Sequence, residues 1–237
     1  MTSLKDKTVL IIGRGSGIAR AIAVAVSDNG GRVIAAGRHP DDLAGAYRGM
    51  DIGIERADVT DESSIAALAG RIVTVDHVVS TASARARGGF AELTASLVNA
   101  SFATKVTGPL LLAKHFAAKL EAGGSFLFMS GATALKPAPG MLAVAATNAA
   151  VDAVTAGLAV ELAPIRVNAI APGTIDTGAY DALGDERKAA LFGARSAANP
   201  ARRIGTAADI AAAALAALTN GFLTGVSIPV DGGEHLV

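Results

Sequence analysis

The stretch TVLIIGRGSGIA, residues 8–19, joins an apolar run to a turn that has three glycines in five positions. The run predicts a buried strand over Thr8–Ile12, and the apolar pattern after the turn predicts a helix over 17–29. A strand, a glycine turn and a helix in this order form the context in which a glycine motif is typical of a dinucleotide-binding site. We therefore expect these residues to be the first unit of an α/β fold with a nucleotide at its turn.

The small residues of the turn each have a predicted role. Gly13 permits the tight turn, while Gly15 and Gly17 let the backbone approach a pyrophosphate. Ala19 is small where the helix packs closely on the strand. The free N–H groups at the start of the helix then favour the phosphates. The cofactor-binding residues predicted here are Gly13, Arg14, Gly15, Ser16, Gly17 and Ile18.

Short β-branched runs alternate with longer helical patterns along the rest of the chain. The predicted strands are Thr8–Ile12, Arg32–Ala36, Ile52–Arg56, His77–Ser80, Ser125–Met129, Arg166–Ile170 and Val226–Val230. The predicted helices are 17–29, 61–70, 91–120, 141–163 and 207–218, with Thr60 and Thr206 as caps. Strand–helix alternation of this kind predicts a parallel sheet joined by right-handed crossovers.

Length and composition exclude several classes of protein. The 237 residues fit one domain, 1–237, and a charged fraction of only 18% is typical of a chain that buries a large core. A net charge of zero gives no reason to expect nucleic acid or an anionic membrane as a partner. The chain has no cysteine, which excludes disulfides and thiolate ligands, and no cluster has the spacing of metal ligands. The first residues lack a signal-peptide pattern and 141–163 contains polar residues, so we expect a cytoplasmic protein without a membrane span.

The end of the second predicted strand favours NADP(H) over NAD(H). An NAD site usually carries an acidic residue about 20 residues beyond the glycines, where it binds the ribose 2′-hydroxyl. Here the strand runs into Gly37 and Arg38 with no acidic residue. Arg14 and Arg38 could bracket a 2′-phosphate, whose geometry suits guanidinium; the alternative is that either arginine is only solvated. Asp58, after the third strand, could accept a hydrogen bond from the adenine amino group or could cap a helix.

Two segments are expected to face other molecules. The polar, irregular stretch 174–205 follows the sixth strand, where an insertion is usually a lid or substrate loop; the alternative is a surface excursion. The helix 141–163 is apolar nearly all round, so it must be buried on more than one side. The side away from the sheet is predicted to meet another subunit, in a homodimer or homotetramer through the helices 91–120 and 141–163. The alternative is a helix that exposes small alanines.

These features resemble the short-chain dehydrogenase/reductase superfamily over essentially the whole chain. The matching motifs are GRGSGIA (13–19), DVTD (58–61), IRVNAIAPGTIDT (165–177) and GVSIPVDGG (225–233). The resemblance implies a three-layer, doubly wound Rossmann-type fold with a parallel sheet of about seven strands. It also implies hydride transfer between a nicotinamide and a small-molecule substrate.

Further cofactor contacts follow from the resemblance by position. Pro172, Gly173 and Ile175 would lie along the nicotinamide, and Thr177 would contact its carboxamide or a phosphate. The family's element after the fourth strand, NNAG, appears here as residues 80–83, a degraded match. The other cofactor-binding residues predicted are Asp58, Val59, Thr81, Ala82 and Lys105.

The catalytic positions depart from the family pattern. The family uses a serine, then a tyrosine and a lysine in YxxxK, with an asparagine on the preceding long helix. This chain has Val144 at the tyrosine and Asn148 at the lysine. Gly131 stands at the serine, directly after Ser130, and Lys105 stands at the asparagine. The usual general acid is therefore missing, and valine cannot replace it.

The lysine and asparagine sites of the family have exchanged residue types. Because the two sites are neighbours in the family, we expect Lys105 to supply the cation near the ribose and Asn148 the amide. A buried ammonium could have a lowered pKa and act as acid or base; the alternative is a Lys105 that points to solvent or to a subunit contact. The predicted catalytic residues are Lys105, Ser130 and Asn148, without a metal.

The sequence thus predicts an NADP(H)-dependent oxidoreductase that transfers hydride between the nicotinamide and a carbonyl or alcohol. Ser83 and Thr133 lie in or near the expected cleft, and we interpret both as structural. Two alternatives stay open. One is a binding protein without turnover, either a nucleotide sensor or a silent partner subunit. The other is an isomerase or lyase in the same cleft, and the fold cannot choose among these.

Overall fold

Seven parallel strands form the central sheet in this computed structural model, which describes residues 3–237. The strands of the chain are β1 (Thr8–Ile12), β2 (Arg32–Gly37), β3 (Ile52–Arg56), β4 (Val75–Ser80), β5 (Leu120–Met129), β6 (Arg166–Pro172), β7 (Ile175–Asp176), β8 (Gly205–Thr206) and β9 (Ser227–Val230). The sheet has the order β3-β2-β1-β4-β5-β6-β9, and β7 and β8 pair separately. The predicted parallel, doubly wound sheet is confirmed, and its order reverses between β1 and β4.

Helices cover both faces of the sheet. They are α1 (Gly17–Asp28), α2 (Pro40–Ala46), α3 (Glu62–Arg71), α4 (Ala95–Phe102), α5 (Gly108–Phe116), α6 (Leu142–Glu161), α7 (Asp185–Ala198) and α8 (Ala207–Thr219). Alternate residues of β1 point to opposite faces: Val9 joins a core with α1 and α8, and Leu10 joins a core with α3, α5 and α6. This is why the strand is apolar throughout, as strands covered on both faces are.

The predicted helix 91–120 is shorter and less regular than expected, although its helical backbone runs without a gap from Ala95 to Phe116. The structure has a short 3-10 turn at Phe90–Glu92, then α4, a π-helical turn at Ala103–Thr107, α5 and a 3-10 turn at Ala117–Lys119. Pro109 has no N–H to donate to the carbonyl of Lys105, so a regular α-helical ladder cannot continue through this point. The π turn matters because it contains Lys105, and π turns of this kind are frequent at functional sites.

The structure differs from the predictions at four further points. The stretch 174–205 is not irregular, since it contains α7, and the short helix α2 was not predicted at all. Strand β5 begins at Leu120, earlier than predicted. The cap of α3 is Asp61 and not Thr60, because the Asp61 side chain accepts the Ser63 N–H while Thr60 donates its hydroxyl to Asp58. The Thr206 cap of α8 is confirmed by its bond from the Asp209 N–H.

Helix α6 is the most apolar long element. By length and composition alone it could cross a membrane, yet 44% of its most apolar 18-residue stretch is buried inside the protein. It packs against β6, and Val151 and Leu158 belong to the core beneath the sheet. These contacts are those of a core helix.

Candidate active site

The candidate site lies at the carboxyl ends of β1 and β4, where the order of the sheet reverses. Such switch points are where open α/β sheets bind ligands. Both the N–H and the hydroxyl of Thr81 donate to the carbonyl of Ile12, at 2.8 and 3.1 Å. A Cβ added at Gly13 would overlap the Thr81 hydroxyl, so the turn requires glycine there. The structure therefore brings the predicted residues Gly13 and Thr81 together.

The start of α1 is open for an anion. Within residues 3–237, the side chain of the N-cap Ser16 accepts no N–H of the first turn, so those donors are left for a ligand. Gly17 has a φ of +56°, which favours glycine. A Cβ at Gly17 would lie 3.1 Å from the Cβ of Thr177, so the segment after β6 reaches over the turn. These residues fit a dinucleotide pyrophosphate.

Arg14 and Arg38 are both exposed beside this turn. Among the residues that the structure describes, neither forms an ion pair, so both guanidinium groups are available to a phosphate. Burial alone would raise the pKa of Asp58, but hydrogen bonds from Thr60 and the charge of Arg38 outweigh it and lower that pKa. Asp58 accepts both Thr60 bonds through Oδ1, at 2.7 and 2.9 Å, so it closes a local turn and does not cap α3. Val59 is buried next to it.

The segment predicted to line the nicotinamide leaves the end of β6. Pro172 ends that strand and Ile175 begins β7, with its side chain buried. Glu234, near the end of the chain, accepts the N–H of Thr174 at 2.7 Å and its hydroxyl at 3.1 Å. A Cβ on Gly173 would lie 2.6 Å from the Cβ of Asp231. The C-terminal residues therefore hold this segment in place, a role that the sequence did not suggest for Glu234.

The three predicted catalytic residues form one buried cluster. Lys105, Ser130 and Asn148 are 6%, 6% and 3% exposed. The Lys105 ammonium donates to the Ser130 carbonyl at 3.2 Å and to Oδ1 of Asn148. The Ser130 hydroxyl donates to the backbone carbonyl of Asn148 at 3.1 Å. Lys105 thus does not point to solvent, and the two exchanged positions are in direct contact.

Burial changes the acidity of this lysine. Loss of hydration around the Lys105 ammonium is the largest cause that lowers its pKa from the usual 10.5 to about 7, and the positive charge of Arg85 acts in the same direction. The negative charge of Asp152 opposes both. Neither Arg85 nor Asp152 was predicted. The pair of arginines in ARARGG (84–89), directly after the carboxyl end of β4, is the sequence signal that could have pointed to Arg85.

The amide of Asn148 continues the cluster toward the surface. Its Nδ2 donates to the hydroxyl of Thr133 at 2.7 Å, and Thr133 is partly exposed. A Cβ at Gly131 would lie only 2.5 Å from that Nδ2, so a serine there, as in the family, would displace the amide. Val144, at the family's tyrosine, is 5% exposed and carries no polar group. The departures from the family pattern are therefore mutually compatible in space.

Similarity to known proteins covers nearly the whole chain. The family model described as enoyl-(acyl carrier protein) reductase matches residues 12–235. A short-chain dehydrogenase/reductase of Acremonium sp, ucsE, is 30% identical over 98% of this chain and 96% of its own. An uncharacterised oxidoreductase of Mycobacterium tuberculosis is 33% identical over 98% of this chain and 94% of its own. The chain belongs to the short-chain dehydrogenase/reductase superfamily.

A solved structure agrees with this assignment. A small-chain dehydrogenase crystallised in complex with NADPH superposes with a TM-score of 0.84 at 31% identity, covering 98% of this chain and all of the other (100%). The Rossmann-type fold and the oxidoreductase class predicted from the sequence are confirmed, and this superfamily member is an enzyme that uses a nicotinamide cofactor. The roles assigned to its individual site residues stay predictions.

Polar and aromatic contacts link residues within the segment 174–205. Lys188 of α7 pairs with Asp176 at 3.0 Å and Asp181 at 2.7 Å. The rings of Tyr180 and Phe192 meet edge to face at 5.4 Å between centroids. The guanidinium of Arg87, after β4, lies 6.0 Å from the Tyr180 ring centroid, so the segment also approaches the residues that follow β4.

Proposed function

We propose that this protein is an NADP(H)-dependent oxidoreductase that transfers hydride between C4 of the nicotinamide and a carbonyl or alcohol, with Lys105, Ser130 and Asn148 in place of the usual catalytic set. One observation carries the proposal. A buried ammonium, Lys105, contacts the amide of Asn148 at the positions where the family keeps its asparagine and lysine. A buried lysine is costly to keep, and a group that can hold or release a proton beside the cofactor suits the reduction of a carbonyl.

The preference for NADP(H) over NAD(H) rests on two arginines. Arg14 and Arg38 are exposed beside the glycine turn, and no acidic residue ends β2 to bind a ribose 2′-hydroxyl. Guanidinium groups bind phosphate in a bidentate manner and suit the additional 2′-phosphate of NADP(H). The NADPH held by the similar small-chain dehydrogenase supports the same choice.

When bound, the nicotinamide supplies or accepts the hydride at C4. The residues of the chain bind and orient it: the turn 13–18 holds the pyrophosphate, and Pro172, Gly173 and Ile175 line the nicotinamide. Thr177 contacts the carboxamide or a phosphate. Lys105 places a positive charge near the nicotinamide ribose, and its pKa of about 7 lets it hold or release a proton near neutral pH. Lys105, water or the substrate itself supplies the proton to the product oxygen.

The remaining organisation of the protein is part of the proposal. The chain acts as one domain, 1–237, of which residues 1 and 2 lie outside the described part. The segment 174–205 serves as the substrate lid, because it borders the cleft and is held mainly by surface contacts. The protein assembles as a homodimer or homotetramer and works in the cytoplasm.

An NADPH-consumption screen over carbonyl compounds tests the proposed function. We expect turnover of at least one compound, tighter binding of NADPH than NADH in fluorescence titrations, and loss of most activity in Lys105→Met. Lys5→Met, which removes an exposed lysine far from the cleft, is the matched control and should behave as the wild type. Tight NADPH binding with no turnover of any compound would point to a binding protein. Conversion of a substrate with no net change in NADPH would point to an isomerase or lyase.

A further inference from the structure

A series of hydrogen bonds through three side chains leads from the buried lysine to the cleft. The Lys105 ammonium donates to Asn148 Oδ1, and Asn148 Nδ2 donates to the Thr133 hydroxyl at 2.7 Å. Lys105 and Asn148 are buried, whereas Thr133 is partly exposed. It stands in the 3-10 turn Ala132–Ala134, just past the carboxyl end of β5, on the edge of the sheet where the cofactor site lies. Of the three side chains in this hydrogen-bonded series, Thr133 is therefore the one that a substrate can reach.

The direction of every bond in this series is determined by chemistry while Lys105 is protonated. An ammonium can only donate, so the Asn148 atom facing Lys105 is then the carbonyl oxygen. The other end of the amide is then an NH₂ group, which makes the Thr133 oxygen an acceptor. The hydroxyl proton of Thr133 is left to donate elsewhere, and within residues 3–237 no acceptor for it is present. Donation by the amide also polarises that O–H bond, because hydrogen bonds in a chain strengthen one another.

The other candidate groups do not reach the cleft in this way. The Ser130 hydroxyl is turned inward and donates to the Asn148 carbonyl at 3.1 Å. Val144, where the family has its tyrosine, has no proton to donate. The Lys105 ammonium donates to two acceptors, and Lys105 is only 6% exposed, whereas Thr133 is partly exposed.

We propose that Thr133 is a catalytic residue that donates a hydrogen bond to the substrate oxygen, in place of the missing tyrosine. The inference rests on the proposed function. As hydride adds to the carbonyl carbon, the π pair of the C=O bond moves to the oxygen, and the Thr133 hydroxyl stabilises the negative charge that develops there. A water molecule in the cleft then gives its proton to that oxygen, leaving hydroxide to solvent, so Thr133 keeps its own proton throughout.

Three substitutions at one position test the role of this hydroxyl, using a carbonyl compound that the wild type reduces. Thr133→Val keeps the shape and removes the hydroxyl, Thr133→Ala removes both the hydroxyl and the methyl group, and Thr133→Ser keeps the hydroxyl. We expect kcat/KM to fall about 100- to 1000-fold in the valine and alanine variants, the size seen when one oxyanion donor is removed. The serine variant should retain most of the activity, and NADPH affinity should be unchanged in all three.

Thr74→Val, at an exposed threonine before β4 on the opposite edge of the sheet, is the matched control and should match the wild type. If the valine and alanine variants keep kcat/KM within about threefold of the wild type, the Thr133 role is overturned while the proposed function stands. Equal losses in all three variants would also overturn it, because the hydroxyl would then not be the group that matters. If the wild type binds NADPH and reduces nothing, the proposed function fails and the catalytic role of Thr133 fails with it.

Discussion

The buried charge of Lys105 is a large electrostatic cost in the site. An ammonium taken out of water loses its hydration, and here two neutral oxygens replace it: the Ser130 carbonyl and the Asn148 amide. In the described residues the ammonium has no ion-pair partner, and Asp152 acts on it only through its charge. The site therefore stores an electrostatic cost in the free protein that a bound anion or polar ligand can reduce.

That cost predicts an unusual pH dependence of stability in the cofactor-free protein. The lysine keeps its proton up to about pH 10.5 when unfolded but loses it near pH 7 when folded. Between these values the unfolded state binds more protons, so the free energy of unfolding contributed by this group rises with pH. We expect Lys105→Met to raise the melting temperature relative to the wild type at pH 6, and this gain to shrink at pH 9. Lys5→Met should show no such trend, and a constant difference from pH 6 to 9 would show that the Lys105 pKa is not lowered.

Gly131 and Asn148 are coupled by a close approach. Replacing glycine with alanine in extended backbone normally stabilises a protein slightly, since it restricts the unfolded chain. At Gly131 the added Cβ would lie 2.5 Å from Asn148 Nδ2, so we expect Gly131→Ala to lower the free energy of unfolding by about 1–3 kcal/mol. In an Asn148→Ala background, Gly131→Ala should lower the free energy of unfolding by less than about 0.5 kcal/mol, because the amide it would meet is gone. Chemical denaturation of the four proteins of this double-mutant cycle measures the coupling, and equal costs in both backgrounds would contradict it.

The sequence was enough to predict which residues form the site, but not the contacts that surround them. The spacing of the motifs, read through the family resemblance, was enough to expect Lys105 and Asn148 as neighbours. It could not show that the ammonium is buried, that Asn148 orients Thr133, or that Arg85 and Asp152 act on the lysine, because these depend on side-chain directions in three separate elements. Thr133 was interpreted as structural for the same reason.

Helices and strands that bury an apolar face were predicted more successfully than those that do not. The strand Thr8–Ile12 and helix α8 carry clear apolar patterns because both pack in the core. Helix α7 contributes no fully buried residue and has a weak apolar pattern, so it was taken as irregular. The π turn at Ala103–Thr107 was missed, although Pro109 is the sequence signal for an irregular helical ladder at this point.

The exposed packing of α7 predicts that it opens readily. Ion pairs of Lys188 and Arg195 and one aromatic contact hold it, and exposed ion pairs contribute little stability. We expect the amides of α7 to exchange with deuterium at least about tenfold faster than those of α6 in the free protein, and to slow when NADPH and substrate are bound. Helix α3, which lies away from the lid, should not change on binding. Exchange of α7 as slow as that of α6 in the free protein would contradict the role of 174–205 as a lid.

The single chain leaves large apolar side chains exposed on α4, α5 and α6. Leu97 of α4, Leu110 of α5 and Val160 of α6 are 48%, 42% and 79% exposed. Along α6 the exposed positions between its ends carry mainly alanine, which lets a second helix approach closely. Apolar side chains left exposed on helices are typical of a subunit interface.

We therefore predict that the protein is a homodimer or homotetramer that associates through α4, α5 and α6. Ala153→Glu places a charge in the middle of the exposed side of α6, where burial in an interface would be costly, and should shift the protein toward monomer at micromolar concentration. Val73→Glu is the matched control, because it replaces an apolar residue that is 83% exposed in the loop before β4, outside those helices. Sedimentation velocity measures all three proteins. A wild type that sediments only as a monomer would contradict the prediction, and equal dissociation by both variants would place the interface elsewhere.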